Sequence, residues 1–423
     1  MRFVSTRGQA PAVGLSAAIR NGAAPDGGLY LPETIPSVAP DAALPLPDFA
    51  AQMLAPFFAG DVLEGALPAI CAEAFSFPLP IVTPDPAGPD RRALELFHGP
   101  TGAFKDFGAR FLAACFARQS EPLTILVATS GDTGGAVGAA TEGKPNLRTL
   151  ILYPKGRVSP FQAHQLGCWD APVLALEVDG DFDDCQRLVK AAFADADLSA
   201  RHHLTSANSI NLGRLLPQMA YLGWAAARVH AGTGAKPGLI VPTGNLGHGF
   251  AALYARAMGL PVGPIILATN ANRTLAEWTA SGYYQPRPAV ATIANAMDVG
   301  APSNFERLAA LDLEEVAVEL VDDEAIRARI AAEARASGYI WCPHSATAAE
   351  TYERLGPEAR AARPWLLCAT AHPYKFADIV EPLIGHPIAP PPALAAILDR
   401  DAHALPIPAT STALAEVLAS TAP

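Results

Sequence analysis

Short runs of aliphatic residues recur along the middle of the chain, separated by longer segments with helical spacing. Runs that are apolar at every position are typical of parallel strands covered on both faces. We predict strands at residues 123–128, 150–153, 173–178, 239–241, 265–268 and 365–369. The clearest helical patterns are at residues 186–193, 212–227, 251–258 and 323–336. This alternation predicts an α/β fold, with helices wound on both faces of open, mostly parallel sheets.

The pattern also divides the chain along its length. Residues 1–80 are rich in loops, and the segment 78–90 carries five prolines and one glycine, which is typical of a linker. Residues 90–385 hold the α/β pattern. Residues 386–423 are rich in proline and alanine, with short helical patterns at 393–398 and 412–418. We expect this tail to be peripheral.

The charge and the cysteine content of the chain indicate which partners and surroundings to expect. The 423 residues include 30 Lys and Arg against 41 Asp and Glu, a formal net charge of −11. Such a chain has no overall attraction to nucleic acid or anionic lipid, so we expect neither partner, and any anion needs a local site. No apolar run reaches the ~18 residues of a membrane span, and the amino terminus has no signal-peptide core. Six cysteines without a C-x-x-C pair favour reduced thiols and a cytoplasmic location, and no spacing supplies four metal ligands.

Ligands of open α/β sheets bind where parallel strands end, and three predicted strand ends carry distinctive residues. Two are glycine-rich: TSGDTGGAVG (129–138) and PTGNLGHG (242–249). Free backbone N–H groups and the helix dipole make such turns candidate anion sites, although a tight turn is the alternative for each. The third, TAHPYKF (370–376), gathers a hydroxyl, an imidazole and an ammonium, with a surface turn as its alternative.

Lys105 is placed unusually for a lysine. It falls in the first turn of a predicted helix whose apolar stripe includes Phe104, Phe107 and Phe111. The helix dipole and partial burial both lower the pKa of an amine there and favour the free form that makes a Schiff base. The alternative is a snorkelling surface lysine. A reactive lysine beside a loop that suits a phosphate indicates pyridoxal 5′-phosphate as cofactor.

Ten segments resemble, in order, the bacterial and fungal threonine synthases, within the tryptophan-synthase-like group of pyridoxal-phosphate enzymes. They are STRG (5–8), APDGGLYLPE (24–33), ELFHGPTGAFKDFG (95–108), TSGDTG (129–134), ILYPKGRVSPFQ (151–162), DGDFDDCQ (179–186), SANSINLGRLLPQ (206–218), PTGNLG (242–247), NAMDVGAPSN (295–304) and TAHPYKF (370–376). The resemblance implies fold type II, with an N-terminal family-specific domain (1–80) followed by two α/β subdomains over 90–385. The smaller subdomain would span roughly 105–220. It also implies a monomer or homodimer acting on a small molecule.

The resemblance implies roles for particular residues. Lys105 would be the cofactor lysine, and Thr370 would face the pyridine nitrogen. The cofactor phosphate would lie in the loop of Gly244, Asn245, Leu246, Gly247 and His248. The substrate carboxylate would lie in the loop of Ser130, Gly131, Asp132, Thr133 and Gly134. Leu246, His248 and Tyr374 depart from the usual family residues in GNFGD and AHPAKF.

A substrate phosphate needs local cations in so acidic a chain. We expect Arg214, Lys375 and Lys155 to supply them, with Ser206, Asn208 and Asn211 as neutral donors. The alternative for this stretch is a helix start capped by Asn211, with Arg214 on the outer face. We also expect a nearby phosphate to raise the pKa of His248 so that the ring is partly protonated near neutral pH. The alternative is a solvent-facing histidine.

The implied reaction converts O-phospho-L-homoserine and water to L-threonine and phosphate, the last step of threonine biosynthesis. It combines elimination of the γ-phosphate with addition of water at Cβ. Two other interpretations stay open at this point. One is a related dehydratase or β-replacing enzyme that acts on serine, threonine or phosphoserine. The other is a non-catalytic metabolite-binding paralogue.

Overall fold

A computed structural model describes residues 1–86, 88, 90–129, 131–311 and 316–420. Its strands form three sheets. The strands are β1 (Phe3–Ser5), β2 (Tyr30–Pro32), β3 (Ile81–Val82), β4 (Arg91–Glu95), β5 (Leu123–Ala128), β6 (Leu147–Pro154), β7 (Val173–Asp179), β8 (Leu204–Ser206), β9 (Gly238–Pro242), β10 (Ile265–Thr269), β11 (Ala317–Leu320), β12 (Trp365–Ala369) and β13 (Ala404–Pro408). All six predicted strands are present, and those at 123–128 and 365–369 match to the residue.

Helices cover both faces of the two larger sheets. They are α1 (Leu15–Asn21), α2 (Leu46–Phe58), α3 (Leu67–Ala74), α4 (Lys105–Phe116), α5 (Asp132–Thr141), α6 (Pro160–Gly167), α7 (Phe182–Ala194), α8 (Ala196–Arg201), α9 (Leu212–Thr233), α10 (Gly247–Ala257), α11 (Thr274–Ser281), α12 (Phe305–Ala309), α13 (Asp323–Ser337), α14 (Pro343–Arg354), α15 (Pro357–Ala361), α16 (Ala377–Ile384), α17 (Pro392–Leu398) and α18 (Ser411–Ser420). Short 3-10 turns lie at Glu64–Ala66, Asn295–Met297 and Pro373–Phe376. Among the described residues, no helix is long and apolar enough to cross a membrane.

The larger sheet has six strands in the order β11-β10-β9-β12-β4-β3. All its pairings are parallel except that of β3 with β4. Every residue of β9 and β12 is buried, as expected for central strands covered on both faces. Because these strands are parallel, their carboxyl ends meet at one edge. The loops 243–246 and 370–376 leave from that edge.

The second sheet has five parallel strands in the order β13-β7-β6-β5-β8. Its edge strand β13 comes from the carboxyl-terminal tail. Leu394 and Leu418 of the tail are fully buried, and the carbonyl of Leu418 accepts a hydrogen bond from Arg148 Nη1 (2.9 Å). The tail is therefore not peripheral, contrary to our expectation, because it completes this sheet and packs against its helices.

The amino-terminal region packs into the same apolar core as the helix that begins at Lys105. The helices α2 and α3 contribute Phe49, Phe57 and Ile70, which are buried in one cluster with Phe111 of α4. Helix α4 packs between α3, α5 and α9. The residue that opens α4 is consequently fixed from several sides. The structure confirms the predicted α/β class, with mostly parallel sheets preceded by an amino-terminal region.

Candidate active site

The turn before α4 is locked by hydrogen bonds. The buried carboxylate of Asp106 accepts from the backbone N–H of Thr101 (2.9 Å) and from Thr101 Oγ1 (2.6 Å). The backbone N–H of Phe104 donates to the carbonyl of Thr370, at the end of β12 (2.8 Å). Lys105, the first residue of α4, is therefore held in register with the strand end that carries Thr370.

The Lys105 side chain keeps a partly accessible surface but is deeply surrounded. Burial is the main cause that lowers the pKa of its amine. The Asp132 carboxylate opposes this effect, and the cations Arg214 and Lys375 lower the pKa further. The free amine is thus favoured, as the position at a helix start predicts, and this is the nucleophilic form of a lysine.

Lys375 forms a buried bridge between the two larger sheets. Its Nζ donates to the carbonyl of Thr101 and to Gln165 Oε1, each at 2.6 Å. It also pairs with Asp132 Oδ1 at 3.0 Å. An ammonium has three N–H bonds, and three acceptors surround this one. A substrate phosphate would have to displace one of them, which weakens the expectation that Lys375 reads it.

Asp132 opens α5, and it stays ionised despite its burial. Desolvation alone would raise the pKa of its carboxyl group, but Lys375, Lys105 and His344 outweigh this and lower the pKa to about 2. At neutral pH Asp132 is therefore a fixed anion and not a proton donor.

The Asp132 ion pair predicts a specific acid sensitivity. The fall in the pKa of Asp132 from 3.8 to about 2 on folding corresponds to stabilisation on the order of 2 kcal/mol. A lowered folded-state pKa stabilises fully above about pH 4 and stops stabilising as the pH falls toward 2. Asp132→Asn should lower the free energy of unfolding at pH 6, and its deficit should shrink between pH 4 and pH 2. Urea titrations across this range measure it, with the exposed Asp401→Asn as control. A deficit that does not change with pH would contradict the assignment.

The loop between β9 and α10 is held by its own side chains. Asn245 Nδ2 donates to Ser209 Oγ (2.7 Å), and Asn245 Oδ1 accepts from the backbone N–H of Ser303 (2.5 Å). Leu246 has the left-handed φ of 62° and is fully buried. A Cβ on Gly244 would lie 2.6 Å from Met297 Cα, so this position requires glycine. The fixed loop leads into the start of α10, a geometry that fits a phosphate group.

His248 lies inside the protein. Its ring stacks on Phe104 (centroids 4.8 Å apart, 18° between planes) and meets Tyr221 edge-on at 5.8 Å. Burial lowers the pKa of His248 to about 3. The solvent-facing alternative is therefore wrong, because the ring packs between aromatic side chains. The expected rise in pKa depends on a bound phosphate and stays a prediction, whereas burial by itself favours the neutral ring. We still predict that His248 belongs to the loop that holds the cofactor phosphate, with its backbone and not its ring facing the phosphate.

Thr370 is buried at the end of β12 and contacts α14. Its backbone N–H donates to Ser345 Oγ (2.8 Å), and the two hydroxyl oxygens are 3.4 Å apart. The side chain presents a neutral hydroxyl to the site and no carboxylate. Lys105, the loop 244–248 and Thr370 together fit a cofactor that has an aldehyde, a phosphate and a ring nitrogen.

Arg214 is buried, although the alternative interpretation placed it on the outer face of its helix. Asn211 caps α9, as that interpretation expects, because its Oδ1 accepts from Gly213 N (2.9 Å). Arg214 Nη1 donates to the carbonyl of Ala207 (2.6 Å), and its buried Nε has no hydrogen-bond partner. Burial lowers the pKa of Arg214 to about 10, so the group is still a cation at neutral pH.

The structure does not bring all the other predicted substrate residues to the site around Lys105. Lys155 is exposed in the turn after β6. Ser206 Oγ accepts from the backbone N–H of Asn208 (3.3 Å), so it helps to shape the loop before α9. Thr129 Oγ1 accepts from the backbone N–H groups of Gly131 (3.0 Å) and Gly134 (3.1 Å), which holds the loop that also carries Thr133. Ser130 lies outside the described residues.

Sequence reasoning missed the side chains that buttress this site. Gln165 binds Lys375, Ser345 binds Thr370, and His344 interacts electrostatically with Asp132 and Lys105. The sequence signal for His344 was Pro343 at the start of a helix, but its position beside Lys105 depends on the tertiary fold. In the described ranges, no cluster of three or more His, Cys, Asp or Glu side chains is arranged to hold a metal ion.

Comparison with known proteins defines the class first. Residues 93–368 match the family described as pyridoxal-phosphate dependent enzyme. The chain belongs to this family, and pyridoxal 5′-phosphate is its cofactor, as predicted. Two further families match: threonine synthase N terminus over residues 2–75, and threonine synthase, C-terminal, over residues 345–418.

Proteins that match nearly the whole chain identify a narrower family within this class. A threonine synthase from Serratia marcescens is 40% identical over 96% of each chain, and one from Escherichia coli is 37% identical over 99% of each. The crystal structure of the Escherichia coli threonine synthase covers 99% of this chain with a TM-score of 0.89 at 35% identity. That of a PLP-bound threonine synthase from Brucella melitensis covers all of it with a TM-score of 0.91 at 33% identity. The chain belongs to the threonine synthase family.

More distant structures share the fold alone. Maize serine racemase covers 69% of this chain with a TM-score of 0.53 at 15% identity. A serine racemase from Dictyostelium discoideum covers 69% with a TM-score of 0.51 at 16% identity. These similarities confirm the pyridoxal-phosphate fold that the sequence implied.

Proposed function

We propose that this chain converts O-phospho-L-homoserine and water to L-threonine and phosphate, as the last step of threonine biosynthesis. Family membership supports this reaction. The observation that carries it in the structure is the position of Lys105 at the start of α4, directly after Phe104, whose backbone N–H is bonded to Thr370. Burial and the charge of the ionised Asp132 both act on the Lys105 amine. When bound, the cofactor supplies an electron sink that makes the Cα proton of the substrate removable.

The residues around the site suit this chemistry. Because burial lowers the pKa of Lys105 and so favours the free amine, this group is suited to accept a proton from Cα and to return it to the product. Thr370 offers a neutral hydroxyl, which does not enforce protonation of a ring nitrogen as a carboxylate would. The site therefore depends more on Lys105 and on hydrogen bonds than on a charged partner for the ring.

The departing phosphate is best matched by Arg214. Of the two predicted substrate cations that are buried, Arg214 has an unpartnered donor at Nε, whereas the Lys375 ammonium is surrounded by three acceptors. Arg214 also acts electrostatically on Lys105, so it lies within range of the reacting groups.

Arg214→Ala should weaken binding of O-phosphohomoserine much more than binding of homoserine, which lacks the phosphate. Loss of a charge-assisted hydrogen bond corresponds to about 10- to 100-fold in affinity. Lys375→Ala should weaken both ligands, since it also releases Asp132. The KM of O-phosphohomoserine and the inhibition constant of homoserine, both from steady-state assays of the holoenzyme, measure the two effects. The control Arg228→Ala removes an exposed arginine from the same helix. Equal losses for both ligands in Arg214→Ala would show that this residue does not read the phosphate.

A paired assay tests the reaction itself. Phosphate release from O-phosphohomoserine should exceed ammonia release from serine or threonine by a wide margin. The reverse ranking would favour the dehydratase alternative. Absence of both activities in a cofactor-loaded protein that binds amino acids would favour the non-catalytic paralogue.

A further inference from the structure

His344 lies at the start of α14, next to Ser345, whose hydroxyl is bonded to Thr370. The His344 side chain is buried, and its ring packs on Phe376 with centroids 4.8 Å apart. The charges of Asp132, Lys105 and Lys375 all act on it. The imidazole is thus within electrostatic range of the reactive lysine and of the loop predicted to hold the substrate carboxylate.

The hydrogen bonding of His344 determines where its proton is. The backbone N–H of Ala296 donates to Nε2 at 3.0 Å, so Nε2 must carry a lone pair. Burial lowers the pKa of His344 to about 4, and the ring is neutral at physiological pH. A neutral imidazole has one N–H, which must therefore be at Nδ1.

The Nδ1–H group has no acceptor in the described part of the protein. Nδ1 is fully buried and lacks a hydrogen-bond partner. Leaving a buried donor unsatisfied is unfavourable, so such a group beside a reactive lysine calls for an acceptor that binds there. The donor is fixed in direction, because the bond from Ala296 holds the opposite side of the ring.

The geometry points to His344 Nδ1–H as an uncharged hydrogen-bond donor to the α-carboxylate of the bound amino-acid substrate. This inference rests on the proposed function for the identity of the substrate. An uncharged donor suits the position because it binds an anionic oxygen without adding another cation beside Lys375. The α-carboxylate is the anionic group common to all amino-acid substrates, and Asp132 belongs to the loop predicted to hold it.

Two conservative substitutions distinguish the role of Nδ1 from the role of Nε2. In His344→Asn the side-chain amide nitrogen takes the place of Nδ1 and keeps a donor there. In His344→Gln the side-chain oxygen takes the place of Nε2 and keeps the acceptor for Ala296, but the donor is lost. The exposed His386→Gln is a matched control.

The readout is the KM of O-phosphohomoserine and the inhibition constant of homoserine, both measured in steady-state assays of the holoenzyme. We expect His344→Gln to weaken both ligands by the same factor, about 10- to 100-fold, and His344→Asn to keep most of the affinity. The thermal midpoint and the visible absorbance of the lysine-bound cofactor report whether each variant is folded and loaded.

Three outcomes would overturn the assignment. If His344→Asn binds both ligands more weakly and His344→Gln binds them like the parent, His344 serves only to hold Ala296. If both variants lose affinity equally, Nδ1 has no separate role. If the loss is confined to the phosphorylated ligand, the donor reads the phosphate. Failure of the proposed function is distinguishable, because it would appear as absent phosphate release by the parent protein.

Discussion

Lys105→Ala should lower turnover of O-phosphohomoserine by at least the 10²–10⁴-fold that a positioned proton-transfer group supplies. The variant should also lose the visible absorbance of the lysine-bound cofactor, because alanine has no amine to form that bond. Lys105 is the first residue of α4, and its neighbours Asp106 and Phe104 hold the turn through their own bonds. The fold should therefore survive. Steady-state kinetics and the absorption spectrum measure both effects.

An exposed lysine supplies the control for this experiment. Lys190→Ala removes an ammonium from the solvent-facing side of α7 and should change neither quantity. Circular dichroism of Lys105→Ala should match that of the parent. A Lys105→Ala protein that retains a tenth of the parent turnover would remove this lysine from the mechanism.

Glu333→Ala should produce the largest loss of stability, about 3–5 kcal/mol, because it leaves a buried guanidinium without its main partner. Glu333 Oε1 and Oε2 accept from Arg91 Nη2 (2.5 Å) and Nη1 (2.9 Å). The side chains of this pair are only 7% and 3% exposed. The pair ties the start of the central strand β4 to α13. Chemical denaturation at neutral pH measures the change in the free energy of unfolding.

The ion pair of Arg354 and Glu319, which lies on the surface, provides a control for this stability measurement. Its members are 36% and 38% exposed, and removal of such a pair typically changes stability by about 0–1 kcal/mol. Glu319→Ala should therefore be nearly neutral. If Glu333→Ala were equally mild, water or Glu353, which also accepts from Arg91 (3.0 Å), would be satisfying the guanidinium.

The hydrophobic pattern predicted the central strands well, because β12 is apolar along its whole length and β5 is apolar except at Thr124. It missed β4, whose sequence RRALE looks polar. Arg91 is buried there only because Glu333, far along the chain, neutralises it. Strand β13 was missed for a related reason. Its sequence ALPIP contains two prolines, and it is a strand only through its pairing with β7.

Short sequence segments predicted where the site lies. They did not predict which side chains pair with one another there. The helix-start position of Lys105 and the glycine loops could be identified from short segments. The environment of Lys375 depends on Thr101, Gln165 and Asp132, which come from three separate parts of the chain. The burial of His248 likewise requires Phe104 and Tyr221 to meet in space. Such contacts follow from tertiary packing, which no local pattern records.

The pairing of β13 with β7 has a consequence for the order in which the molecule forms during synthesis. A chain emerges from the ribosome with its amino-terminal end first, so β7 is available long before its neighbour β13. Until β13 has been made and docks, β7 is an open sheet edge that invites pairing with other chains. Once β13 docks, Pro406 and Pro408 leave the new edge with fewer N–H groups to offer a further strand. The tail thus covers the edge of β7 and completes the five-stranded sheet.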